Sequence, residues 1–149
     1  MIDGPIELFE QAIDLSGGLA ELYCDYFDRQ FELMQALRPP VVSHFDLIRL
    51  HDKNYPTQLR HPDVWQRIVR NLEHIAEHNM ILDLNLRALK KGQPEPYVSQ
   101  PILAHAKRLN IPVVPGDDSH GVTDIGTYFE TAIQTLQSAG YGTDWKKPI

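Results

Sequence analysis

The chain has 149 residues, enough for one domain with its own core. Its net charge of −6 comes with no Lys/Arg stripe, which argues against a nucleic-acid or acidic-membrane partner. A hydrophobic fraction of 42% is ordinary for a folded chain, and no apolar run approaches the about 20 residues that span a bilayer. The single cysteine, Cys24, excludes an internal disulfide and a thiolate zinc site, and reads as a buried structural thiol. The opening residues MIDGPIELFEQ lack the charged-then-apolar pattern of a leader, so the expected compartment is cytoplasmic.

Along the chain, Ser16-Gly17-Gly18 breaks the first stretch. Leu22, Tyr26, Phe27, Gln30, Phe31 and Met34 then recur at helical spacing, predicting a helix over Leu19–Leu37 that Pro39-Pro40 ends. Val41-Val42 begins a short strand ending near His44, and residues 49–61 read as a polar loop containing Pro56. Pro62 suits a first helical turn, and Val64, Trp65, Ile68, Leu72 and Ile75 mark a helix over 62–79. Residues 80–84 form a second apolar run and 90–99 a loop rich in Lys, Gly and Pro. A helix over 101–109, a strand over 111–114 and a helix over 125–139 complete the series.

Short apolar strands alternating with amphipathic helices predict an α/β fold with about three parallel strands. Three such units are fewer than a closed β/α barrel needs, so the pattern reads as part of a barrel. An independent three-strand layered domain is the alternative.

Each strand leads into polar residues at its carboxyl end, where parallel α/β folds bind ligands. The segments are Ser43-His44-Phe45-Asp46 with Arg49, Asp83-Leu84-Asn85 with Lys90, and Gly116-Asp117-Asp118-Ser119-His120-Gly121. Asp118 and His120 stand two apart at a strand end, so carboxylate and imidazole point to one side and can share a metal ion. On spacing alone, a capping role for Asp118 or Ser119 at the following helix competes evenly with ligation. His44 is a further candidate ligand, against the commoner fate of a hydrogen-bonded core histidine. Asp46 could orient a ring N–H, and Arg49 could grip a phosphate through its forked donors, against a surface ion pair. His74 and His78 have a helical metal spacing but lack a Glu directly after the first histidine, and so read as surface residues.

Taken in order, Pro40-Val41-Val42-Ser43-His44-Phe45-Asp46-Leu47-Ile48-Arg49, Leu82-Asp83-Leu84-Asn85, Ala88-Leu89-Lys90-Lys91-Gly92, Glu95-Pro96-Tyr97 and Gly116-Asp117-Asp118-Ser119-His120-Gly121 resemble the PHP phosphoesterases, in particular histidinol-phosphate phosphatases of fungal type. The resemblance covers almost the whole chain and implies that residues 1–149 are the C-terminal part of a PHP domain, a partial β/α barrel of PHP type. It implies a cluster of divalent metals (zinc, manganese or iron) and hydrolysis of L-histidinol phosphate in histidine biosynthesis. By position, His44, Asp118 and His120 match metal ligands, Asp118 and His120 take part in catalysis, and Arg49 and Lys90 face the substrate phosphate.

The chain departs from the family pattern in places. The N-terminal His-x-His pair and the Glu and His ligands of the next strands have no counterpart. Ser43 stands for a common Gly, Asp83 for Glu, Lys90 for Arg and Val98 for Pro. The expected partners are therefore a small phosphorylated substrate and either the missing N-terminal half or a second copy of the chain. A non-catalytic, partner-binding remnant is the alternative reading.

Overall fold

The computed structural model describes residues 2–148. The chain divides into two compact units, the first running to Arg38 and resuming over Leu47–His74, the second comprising Pro39–Asp46 and everything from Ile75 onward. No helix among the described residues is long and apolar enough to cross a membrane.

The first unit is helical. Helix α1 (Ile6–Ser16) stops at Gly17, whose φ of 89° is left-handed. Gly17 and Gly18 N–H both bond to the Ile13 carbonyl, a helix ending that glycine accepts without a Cβ penalty. Helix α2 (Leu19–Leu37) has the bounds expected of it, because left-handed Arg38 and the two prolines after it cannot continue the ladder. It buries Leu22, Tyr23, Phe27 and Met34. The expected loop over 49–61 is instead a 3-10 turn (Leu47–His51) followed by helix α3 (Tyr55–Arg60). Pro56 does not prevent that helix, since it occupies the first turn, where a missing N–H leaves no bond unmade. Helix α4 (Pro62–Glu77) begins here, with Val64, Ile68 and Leu72 fully buried along one stripe.

Polar contacts fasten these helices. Asn71 Nδ2 donates to the Phe27 carbonyl at 2.8 Å, and the Tyr23 hydroxyl donates to Asp52 at 2.9 Å in a buried setting. Asp28 accepts from Arg67 at 2.9 Å and Arg70 at 2.8 Å. Burial alone would raise the Asp28 carboxyl, but the two guanidinium hydrogen bonds outweigh it and hold the group below its ordinary value.

The second unit holds the sheet: β1 (Val41–Val42), β2 (Ile81–Asn85) and β3 (Val113–Gly116), parallel, in the order β1-β2-β3. All five residues of β2 are buried, as a central parallel strand requires. Its register sets Val41 beside Ile81, and Asp83 and Asn85 beside Val114 and Gly116. A one-turn helix, α5 (Arg87–Lys90), follows β2 directly. Helix α6 (Gln100–Arg108) buries Ile102, Leu103 and Ala106 and starts at Ser99, whose N–H donates to buried Asp46 at 3.0 Å while its hydroxyl bonds the same carboxylate. Helix α7 (Phe129–Ser138) packs on β3 and starts later than the expected Ile125. A 3-10 turn over Val122–Asp124 and left-handed Gly126 (φ 73°) interpose.

The Asp28 linkage sets an acid limb. A folded pKa below the unfolded value near 3.8 contributes stability that is present above 3.8 and lost as pH falls through the folded value. Thermal melts of native protein and Asp28→Asn between pH 6 and pH 2 should differ most at pH 6 and converge in acid. A constant offset across that range would refute the linkage.

Candidate functional site

The polar residues at the carboxyl ends of β2 and β3 meet within the second unit. Asp83 and Asn85 alternate on β2 and so share one side of the strand. The Asn85 amide donates to Asp83 Oδ2 at 2.9 Å and to Asp118 Oδ2 at 3.2 Å, while its Oδ1 accepts the Arg87 N–H at 3.1 Å. Asp83 lies so close to Gly116 that a Cβ there would run into its Oδ1. Glycine at 116 is therefore a steric requirement of the buried carboxylate. Burial pushes the Asp83 carboxyl up, against hydrogen bonds from Asn85 and the His44 main chain; the charge of Asp118 pushes the same way as burial.

Beyond β3 the chain turns sharply. Asp118 has φ 47° and His44, beyond β1, has φ 33°, a left-handed conformation uncommon outside glycine and found at sites that over-determine the backbone. His120 Nε2 stands 3.4 Å from Asp118 Oδ1, with the imidazole largely exposed. Two donors on one tetrahedral ion with bonds of about 2.1 Å lie about 3.4 Å apart, so this pair has the bite of a shared cation. The competing capping role is not what the structure shows: neither the 3-10 turn after Gly121 nor α7 receives a side-chain cap. Asp117 supplies the turn instead. Its Oδ2 accepts the Gly126 N–H at 2.7 Å, and that bond holds its carboxyl below the ordinary range.

His44 reaches this cluster through its main chain, which bonds Asp83. Among the described residues, His44, Asp118 and His120 do not gather donor atoms within 4.8 Å of one another. The group that does is a single helical turn at the end of α4, His74, Glu77 and His78. Glu77 sits at the i+3 position from His74, not directly after it, which is where the zinc-helix pattern expects a Glu. Lys90 ion-pairs with Asp124, which also takes Arg87 Nη1 at 2.9 Å and the His120 N–H at 3.3 Å. Together these hold the Asp124 carboxyl down to about 2, the Lys90 ammonium contributing most. Sequence reasoning missed Arg87 and Asp124; no spacing rule links positions 37 residues apart. Arg49 lies in the first unit, fully buried, its guanidinium 4.7 Å from the centre of the Tyr55 ring.

No protein-family model matches the chain. It is 32% identical over 142 residues to the probable histidinol-phosphatase of Schizosaccharomyces pombe, covering 93% of this chain and 46% of that protein. It is 27% identical to the histidinol-phosphatase of Saccharomyces cerevisiae, covering 75% of this chain and 40% of that one. A crystal structure assigned as a histidinol phosphatase from Listeria monocytogenes superposes with a TM-score of 0.72 at 27% identity, over 80% of this chain and 46% of that one. The chain spans about half the length of the curated relatives it matches.

Gly116→Ala should destabilise the fold by about 1–3 kcal/mol, because the new methyl and the buried Asp83 carboxylate compete for one space. Urea unfolding measures it. An unchanged midpoint would mean that Asp83 relocates freely.

Proposed function

Because this chain belongs to the histidinol-phosphatase family, we propose that it carries part of a metal-dependent phosphomonoesterase site acting on L-histidinol phosphate in histidine biosynthesis. The products would be L-histidinol and phosphate, and the setting cytoplasmic. The observation that carries the proposal is the Asp118–His120 pair at the end of β3, spaced for a shared cation and linked to β2 through Asn85.

Asp118 and His120 would hold the cation, and His44 would join them in the completed site. Oxygen and imidazole donors without thiolate suit zinc, manganese or iron. Such a cation, when bound, lowers the pKa of a coordinated water and polarises phosphoryl oxygens. The chain's own residues supply the rest. The leaving alkoxide would take its proton from a group other than the cation-bound His120 nitrogen. Lys90, half exposed beside Asp124, would offset charge on the phosphoryl oxygens. Asn85 fixes the direction of the Asp118 carboxylate.

Residues 1–149 would form part of a PHP domain whose remaining ligands lie outside them. One observation favours a second reading, a partner- or metal-binding subunit without turnover: among the described residues, His44 does not join Asp118 and His120 in one gathered set of three donors.

The test is phosphate release from L-histidinol phosphate with added Mn²⁺ or Zn²⁺, alongside Asp118→Ala. Turnover that falls to background in the variant supports the phosphatase reading. Folded protein with no turnover points to the subunit reading. Equal turnover in native and variant proteins would sink the assignment of Asp118.

A further inference from the structure

The loop that carries His120 is closed at its base by Asp117, whose Oδ2 accepts the Gly126 N–H, but its tip is open to solvent. Ser119, His120, Gly121, Val122 and Thr123 are all exposed, and a segment with so few buried contacts should sample many positions. Asp124 is the exception, 6% exposed at the end of the 3-10 turn. Its two oxygens are divided between two jobs. Oδ2 accepts the His120 N–H at 3.3 Å and the Arg87 guanidinium at 2.9 Å; Oδ1 takes the Lys90 ammonium and lies 3.4 Å from the Thr123 hydroxyl. Arg87 is itself fixed, since its N–H donates to Asn85, the residue whose amide holds Asp118. A closed circuit results, running from Asp118 through Asn85 to Arg87, on to Asp124, and back to His120.

We propose that Asp124 is a positioning residue for the cation pair: by tying the His120 main chain to α5 it holds the imidazole at the bite distance from Asp118, without touching the ion itself. The proposal rests on the reading of Asp118 and His120 as ligands. Exposed ion pairs contribute little to a fold, but this carboxylate is buried between two cations and anchors a ligand's own backbone. Asp124 acts through geometry. An uncharged residue of the same shape therefore serves nearly as well, because the Asn amide oxygen still accepts the His120 N–H.

Zn²⁺ titration by calorimetry, well below the melting transition, tests this. Every protein carries His78→Ala, so that the His74–Glu77–His78 turn does not compete for the ion. The expected series is binding by the native site, loss in Asp118→Ala, a weakening of about tenfold or more in Asp124→Ala, and recovery of most of that loss in Asp124→Asn, even where its melting temperature stays low. Native affinity in Asp124→Ala overturns the proposal and leaves the ligands standing. Equal weakening in Ala and Asn overturns it in favour of charge. No binding by the native site, or undiminished binding in Asp118→Ala, overturns the ligand reading and the proposal with it. Should Asp124→Ala fail to fold, Arg87→Ala takes its place: weakened binding upholds the circuit and native affinity breaks it.

Discussion

Pairing of β2 with a parallel strand on each side is the constraint on which the second unit depends. A five-residue strand buried along its whole length has no solvent-facing side for polar groups, yet this one contains Asp83 and Asn85. Buried polar groups persist when their hydrogen bonds are made, and here they are made to each other and to the neighbouring strand end. The register completes the condition. Asn85 lies beside Gly116, a residue without the side chain that would displace the Asp83 carboxylate. Strand pairing and polar chemistry are thus one problem with one solution.

The charge balance at that end is uneven. Asp83 is pushed toward its protonated form by burial and by the neighbouring Asp118, while Asp124 a few residues on is held firmly ionised by Lys90 and Arg87. Arg87 and Lys90 both pair with Asp124, while the group between the Asp83 and Asp118 carboxylates is the neutral Asn85 amide. A divalent cation would relieve such a shortfall of positive charge, which is the physical argument for the cation proposed at Asp118 and His120.

Much of this was legible in the residues. The bounds of α2 follow from Gly17-Gly18 and Pro39-Pro40, and the three strands from compact apolar runs, because backbone preference and burial act locally. The same logic failed over residues 49–61, where Pro56 suggested a loop and in fact sits in a first helical turn. Helix α1 was not anticipated. It buries only Phe9. At the site, Asp118 and His120 were visible as a local pair; the partnership of Lys90 with Asp124 was not, since it joins residues 34 apart. The fate of Arg49 was hidden for a related reason: whether a guanidinium meets solvent, a phosphate or a tyrosine ring is decided by tertiary packing.

The left-handed backbone at Asp118 has a consequence for how this site can decay. Residues that tolerate that conformation are few, chiefly glycine, asparagine and aspartate. Selection for folding alone therefore leaves asparagine admissible at this position, and aspartate and asparagine codons differ by one base. A lineage that no longer needs the chemistry can lose the Asp118 carboxylate in one mutational step while keeping the turn, the Asn85 bond partner and the sheet. Silent relatives with an intact fold should accordingly carry asparagine here more often than alanine, their loss of function invisible to stability.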